Sequence, residues 1–430
     1  MTVLPLDPRR VDRLSSLLNP PDAWTGLDDH RQAFATTPPI DRTPDGAFVD
    51  LVERSGLHGR GGAGFPTAVK LRAVAEGRRR PVVLVNGSEG EPASAKDAVL
   101  MSLAPHIVID GALLAASAVG ADGVVIGVKV GAGRSRQAIG RAVEERFALE
   151  PWTPRLRVID VPPTYVAGEE RALVNLANGG RAIPPSGTSR PFERGVGNRP
   201  TLVQNVETLA HLALIRAMGA DWFRALGHPD APGTMLVSVS GPVADPGVFE
   251  VPTGERLVEV IRGAGGATEE IRAILVGGYA GTWLTEDAIE RATLDRAGMA
   301  GVGGTVGCGA IVALSASACG VRATAEIMRW LATNTAGQCG PCVSGLGSIA
   351  TTLVDLWRGT ARRDSLDRLI RWSHDIEGRG ACRYPDGAVR FLRSALTAFG
   401  DDARTHAAGR PCVGAHLPTL VPIPNIGQAA

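Results

Sequence analysis

The first half of the chain alternates short apolar runs with longer stretches of helical periodicity. Val82-Val83-Leu84-Val85 is apolar without a polar break, the mark of a strand buried on both faces of a parallel sheet. Further strands are predicted at Val124–Val130 and Leu156–Val161. Between them the pattern predicts helices. One begins at Phe48 and ends at Ser55-Gly56, one restarts at Pro66, a favourable first-turn residue, others follow Pro92, and one covers Ser135–Leu149. Residues 184–200 read as a loop, followed by a helix from about Asn205 to Met218. Such alternation predicts an α/β layer structure with a parallel sheet. From Thr234 the pattern becomes that of a small α+β unit. It has strands at Met235–Ser240, Pro246–Val251 and Ile274–Val276, and a helix at Arg256–Arg262. Beyond about residue 320 the helices Arg322–Thr333, Leu346–Arg358, Leu366–Ile376 and Val389–Phe399 suffice for a bundle.

The ends depart from this pattern. Residues 1–45 are polar and Pro-rich, with Pro38-Pro39 and an amphipathic piece near Val11–Leu18, and read as an arm that lies on something else. Arg9-Arg10 is followed by Pro20-Pro21 and not by an apolar stretch, so an export signal is not expected. The longest apolar region, Ile107–Val130, is broken by Asp110 and Asp122 and reads as a buried helix and strand, so no transmembrane segment is expected. A net charge of +1 gives no field for nucleic acid or an anionic membrane, and the run Arg78-Arg79-Arg80 reads as a solvated face.

The candidate chemistry lies where strands end. Gly59-Arg60-Gly61-Gly62-Ala63-Gly64-Phe65-Pro66 follows a helix, not a strand, so it is not a dinucleotide fingerprint. Four glycines in six positions before a helix start still make a phosphate cradle, to which Arg60 and Lys70 could add charge. Asn86-Gly87-Ser88-Glu89-Gly90-Glu91-Pro92 and Tyr165-Val166-Ala167-Gly168-Glu169-Glu170 directly follow predicted strands, where α/β folds bind ligands. Thr201-Leu202-Val203-Gln204-Asn205-Val206-Glu207-Thr208 is the fourth segment of this polar cleft. Taken alone, paired Glu residues at a helix start could serve only the helix dipole.

All six cysteines fall after residue 307, four of them after Gly337, which points to a local metal or redox site in a reducing compartment. Cys339-Gly340-Pro341-Cys342 and Cys382 are the candidate metal ligands. Zinc with His374, a redox disulfide and an empty bundle are the other readings of these residues alone. Cys308 and Cys319 read as buried small residues.

In their order along residues 46–400, the glycine loop, Glu89-Gly90-Glu91-Pro92, Gly168-Glu169-Glu170, Asn205-Val206-Glu207-Thr208 and Gly378-Arg379-Gly380-Ala381-Cys382 resemble the NADH-binding flavoprotein subunit of respiratory complex I. They also resemble related subunits of NAD-linked hydrogenases and formate dehydrogenases. The resemblance implies an α/β FMN-binding domain with a parallel sheet, a small β-grasp (soluble-ligand-binding) domain and a C-terminal helical bundle iron–sulfur domain. The expected divisions are an arm over 1–45, then 46–230, 231–300, 301–405 and a Pro-rich tail over 406–430. FMN and NADH would be held by Gly59, Arg60, Gly61, Gly62, Phe65, Lys70, Asn86, Glu89, Glu91, Tyr165, Gly168, Glu169, Glu170, Gln204 and Asn205. Phe65 would lie near the adenine and Glu169 and Glu170 near the ribose. The candidate catalytic residues are Glu91, Glu169 and Glu170, acting by placement, with hydride passing from nicotinamide to flavin.

In the family, three cysteines at two-residue spacings and one distant cysteine hold a [4Fe–4S] cluster. Here Ala336 stands where the first would be, leaving Cys339, Cys342 and Cys382 for a [3Fe–4S] cluster or a [4Fe–4S] cluster with another fourth ligand, for which Cys412 is a candidate. Ser88, Gln204 and Ala73 are further departures, and the Asn86–Pro92 stretch leans towards sodium-pumping ferredoxin:NAD oxidoreductases. The implied function is NADH oxidation through FMN, with electrons passed to the cluster and on to a ferredoxin-like or membrane redox partner. The implied location is cytoplasmic, or peripheral on the inner face of the cell membrane through that partner. The alternative is a non-catalytic assembly or scaffold role in which the fold was kept.

Overall fold

The computed structural model describes residues 26–33, 44–149, 155–185, 187 and 189–424. The amphipathic piece near residues 11–18 and the Pro38-Pro39 pair lie outside the described residues. The chain forms two compact units. The first comprises residues 1–90, 95–237 and 248–254, and the second 91–94, 238–247 and 255–430.

The first unit is built on a four-stranded parallel sheet. Its strands are β1 (Val82–Gly87), β2 (Gly123–Lys129), β3 (Arg155–Val161) and β4 (Thr201–Asn205), in the order β3-β2-β1-β4. The apolar run in β1 serves two cores at once. Val83 and Val85 join the large cluster on one face, while Val82 and Leu84 join the smaller cluster on the other. That two-sided burial is why its sequence shows no alternation.

The helices of this unit are α1 (Leu27–Ala33), α2 (Gly46–Ser55), α3 (Thr67–Ala75), α4 (Lys96–Leu103), α5 (Pro105–Val119), α6 (Gly133–Leu149), α7 (Glu170–Ala177), α8 (Val206–Met218) and α9 (Ala220–Arg224). α5 and α8 cross so closely that a Cβ on Gly111 would fall 1.8 Å from the Leu209 carbonyl oxygen, so only glycine fits there. The apolar region picked out in the sequence is thus a buried helix followed by a buried strand. Among the described residues no single helix is long and apolar enough to cross a membrane. The pair α4–α5 has the length and composition but is bent by 98°, and α5 is buried along nearly its whole length.

A two-stranded ribbon, β5 (Gly227–His228) with β6 (Ala231–Pro232), precedes β7 (Thr234–Ser240), which runs from the first unit into the second, and β8 (Gly247–Pro252). Within the second unit, after α10 (Leu257–Gly263), β9 (Ile271–Val276) pairs antiparallel with β10 (Thr282–Leu284). The short helices α11 (Glu286–Arg291) and α12 (Arg296–Gly301) lead to β11 (Ala310–Ser315). β11 is antiparallel to β9 and parallel to Ser238–Ser240. It completes this mixed sheet beyond residue 300, where the sequence places the domain end. The helices α13 (Gly320–Thr333), α14 (Leu346–Arg358), α15 (Ser365–Ile376), α16 (Tyr384–Ala398) and α17 (Gly400–Ala407) form the bundle. α17 has no counterpart among the four helices expected.

Candidate functional site

In the strand order β3-β2-β1-β4 the direction of winding reverses between β1 and β4, and such a switch point opens a crevice at the strands' carboxyl ends. Asn86 and Asn205 are register partners there, as are Val85 and Gln204. The glycine loop reaches this place. A Cβ on Gly61 would lie 3.2 Å from Asn205 Cβ, and the Arg60 amide donates to Thr208 Oγ1 at 2.9 Å. The loop is closed at its base by the Gly59 amide donating to the Phe65 carbonyl at 2.9 Å. Gly62 and Gly64 adopt φ of 108° and 59°, a region that glycine enters without strain. Phe65 is 53% exposed, leaving its ring available for stacking. Ala73 lies within α3.

The polar side chains divide into those that build the crevice and those that face it. Asn86 Nδ2 donates to the Gly168 carbonyl at 2.9 Å, and its Oδ1 accepts from the Ser88 hydroxyl at 2.6 Å, so Ser88 braces the strand-end amide. A Cβ on Gly90 would fall 2.8 Å from the carbonyl oxygen of Tyr165, itself in the turn Tyr165–Gly168, so these two segments are packed backbone to backbone. Glu89 accepts from the Asp97 and Ala98 amides at 2.9 Å each, capping α4. Glu169 caps α7, accepting from the Arg171 and Ala172 amides at 2.9 Å each, with Arg171 Nε at 3.1 Å. Glu170 instead pairs with Lys70 at 3.5 Å, while Lys70 Nζ donates to the Val203 carbonyl at 2.7 Å. Burial lowers the Lys70 pKa, and Glu170 opposes the shift. Arg60 turns away from a phosphate role. Its guanidinium donates to the Pro232 carbonyl at 3.1 Å, and its pKa is lowered by burial, against the pull of Glu207.

Beneath the crevice lies a network that the sequence reading did not single out. Lys96 Nζ, nearly inaccessible, contacts Asp97 Oδ1 at 2.6 Å and Glu207 Oε2 at 2.7 Å. Asn205 Nδ2 donates to Asp97 Oδ2 at 2.6 Å and its Oδ1 caps α8. Burial alone would raise the Glu207 carboxyl, but attraction to Lys96, helped by His211, outweighs it and holds it at about 2. For Asp97 burial wins over Lys96, and the carboxyl is raised to about 6. No local sequence signal marks it, because the Lys96–Glu207 contact spans 111 residues.

Glu91 belongs to the second unit, not to this crevice's unit. Its buried carboxylate accepts from the Ala93 amide at 3.1 Å and the Tyr279 amide at 2.9 Å, and a Cβ on Gly278 would meet it at 2.3 Å. In the same unit Cys339 and Cys342 lie on the tight turn before α14, closed by the Cys342 amide donating to the Cys339 carbonyl at 3.0 Å. The Cys342 thiol is pushed up to about 12 by burial, with Cys339 and Cys382 adding to the shift and the Thr335 side chain opposing it. Cys339 and Cys382 thus both lie close enough to Cys342 to act on its thiol, and thiolates are the usual ligands of iron–sulfur clusters. Ala336 provides no fourth donor. Cys412 does not go there: it is grouped with Cys319 and His406. Cys319 is buried, as expected, and lies beside Cys412 and His406. Its thiol is raised to about 12 by burial, against the Arg322 amide and with Cys412 adding. His374 is occupied by Arg393 at 3.1 Å.

Three family models match successive parts of the chain. Residues 52–214 match the Nuo51 FMN-binding domain, 236–278 the SLBB domain and 322–406 the NADH-ubiquinone oxidoreductase-F iron-sulfur binding region. The NADH-quinone oxidoreductase F protein of Streptomyces coelicolor is 30% identical over 93% of this chain and 92% of its own. The NADH-quinone oxidoreductase F 2 protein of Rhizobium meliloti is 32% identical over 86% and 90%. The NAD+-reducing [NiFe]-hydrogenase in its H2-reduced state superposes with a TM-score of 0.78 at 31% identity, covering 85% of this chain and 63% of the hydrogenase chain. The chain therefore spans less than two thirds of that solved chain's length. It belongs to the family of NADH-quinone oxidoreductase F subunits, and carries in order an FMN-binding domain, an SLBB domain and an iron–sulfur binding region.

Proposed function

We propose that this chain oxidises NADH through FMN held at the β1/β4 switch point and passes the electrons through an iron–sulfur cluster to a redox partner. The observation that carries the reading is the glycine loop set over the paired Asn86 and Asn205 at the ends of β1 and β4. Backbone amides of Gly61 and Gly62 suit a phosphate, with Gly59 closing the base of their loop, and Asn86, Tyr165, Gly168, Gln204 and Asn205 would surround the ring system. FMN supplies a two-electron acceptor that can release electrons singly.

The protein's own contribution is placement. Phe65 offers a ring face for the adenine, Lys70 and Glu170 form a half-exposed pair able to meet a nucleotide, and Glu169 and Glu89 fix the helices that frame the crevice. Cys339, Cys342 and Cys382 would hold the cluster. Its partners in this reading are NAD(H) and further subunits. One of those subunits would be a ferredoxin-like or membrane-bound oxidoreductase, which would place the chain in the cytoplasm or at the inner face of the membrane. Val343, next to Cys342, is 64% exposed and would meet such a partner.

The test is a visible spectrum of the anaerobically purified protein before and after NADH. Flavin bands with broad iron–sulfur absorption, both bleached by NADH, are expected. A colourless protein would favour a scaffold role, and flavin that NADH cannot reduce would make the chain a relay fed by another protein.

A further inference from the structure

Three donor side chains that neither the flavin nor the cluster uses meet beneath the C-terminal tail. Cys319 precedes α13, His406 lies in the last turn of α17, and Cys412 precedes the turn Val413–His416. Their ligand atoms all lie within 4.8 Å of one another. Cys319 and His406 are both 0% exposed.

The imidazole is already oriented for ligation. His406 Nδ1 lies 3.1 Å from the Leu356 carbonyl and 3.2 Å from the Trp357 carbonyl. A carbonyl oxygen can only accept, so Nδ1 carries the proton and Nε2 presents its lone pair to the cysteines. Imidazoles that bind metals have their other N–H held in this way. Nε2 is 3.6 Å from Cys319 Sγ and accepts from the Cys412 amide at 3.1 Å. A tetrahedral zinc ion about 2.3 Å from sulfur and about 2.1 Å from nitrogen sets those two ligand atoms about 3.6 Å apart. The Cys319–His406 separation of 3.6 Å already has that length. Two thiols and an imidazole form a soft donor set, suited to zinc and not to magnesium or calcium.

We propose that Cys319, His406 and Cys412 bind a thiophilic divalent cation, zinc in the first instance, which fastens the tail to the helical bundle. Binding releases two thiol protons to solvent and replaces the Cys412 amide–imidazole hydrogen bond with a metal–nitrogen bond, without any redox change. A water molecule completes the coordination. The tail is laid down to receive it. Arg322 donates to the Leu417 carbonyl at 2.7 Å, Trp357 Nε1 to the Ala415 carbonyl at 2.8 Å, and Thr419 to Glu326 at 2.6 Å. Gly414 passes so near the bundle that a Cβ would fall 2.3 Å from the Ser317 carbonyl oxygen.

The test uses the full chain, purified anaerobically with its own cofactors and analysed for zinc and iron, then loaded with Co(II). Expected are about one zinc per chain besides the iron, and a thiolate-to-cobalt absorption band. Cys412→Ser should weaken zinc binding at least ~10-fold with iron unchanged, while Cys339→Ser should lower iron and leave zinc in place. Cys412 sits on the tail, so its substitution spares the core. As a second reading, a chelator should expose the tail of the wild type to protease, and zinc should protect it again. Equal zinc in wild type and Cys412→Ser would overturn the proposal. So would a Cys319–Cys412 disulfide, found by non-reducing peptide mapping, in place of bound metal.

Discussion

Glu169 and Glu170 are neighbours in sequence with separable duties. Glu169 spends its carboxylate on the first amides of α7, whereas Glu170 pairs with Lys70 across 3.5 Å. Glu169→Ala should therefore cost about 1 kcal/mol of unfolding free energy, as lost helix caps do, measurable by urea titration. Glu170→Gln should raise the KM for NADH while FMN content stays at the wild-type level; equal KM values would remove Glu170 from the nucleotide site. The sequence offered both as site residues and could not tell cap from contact, since that depends on which amides each carboxylate meets. Lys96 was invisible for a related reason: its importance comes from Glu207, 111 residues away. Lys96→Met should leave two buried carboxylates without their cation and destabilise the protein by about 3–5 kcal/mol. Because the Glu207 carboxyl is depressed to about 2 in the folded protein, the unfolded chain binds its proton first on acidification. Its stabilisation is present above the ordinary carboxyl range near ~4.5 and is lost as the pH falls towards ~2. Glu207→Gln should flatten that acid limb in pH-dependent melting.

Elements with an unambiguous pattern were legible, and those that depend on tertiary pairing were not. β1 announced itself by four apolar residues, and the four expected bundle helices correspond to α13, α14, α15 and α16. β4 went unrecognised as a strand because its five residues end in Gln204-Asn205 and it exists by pairing with β1. β11 was missed although Ala310–Leu314 is itself an unbroken apolar run; it is placed between β9 and Ser238–Ser240. The turn from α13 to α14 bears the strongest element-level prediction. It presents Cys339 and Cys342 but has Ala336 in place of a third thiol. The native chain should show the electron paramagnetic resonance signal of an oxidised [3Fe–4S] centre, and Ala336→Cys should convert it to a stable [4Fe–4S] cluster. A fully [4Fe–4S] spectrum in the native chain would mean that another residue closes the corner.

At the scale of the whole molecule, the order of FMN-binding, SLBB and iron–sulfur regions could be read along the chain, but the partition into compact units could not. The motif around Glu91 reads as one continuous loop, yet residues 91–94 belong to the second unit while the residues on either side belong to the first. One long-range attachment of this segment within the second unit is the Glu91 carboxylate accepting from the Tyr279 amide. This has a consequence for biosynthesis. Glu91 is polymerised 188 residues before Tyr279. At about 5–20 residues per second that is a wait of roughly 10–40 s. A chain stalled near residue 260 should therefore carry a protease-resistant parallel-sheet unit with a cleavable site at residues 91–94, and release to full length should close that site. The second unit is thus finished only after the first has been made, and a fragment beginning at residue 238 would lack the carboxylate that holds its Tyr279 turn.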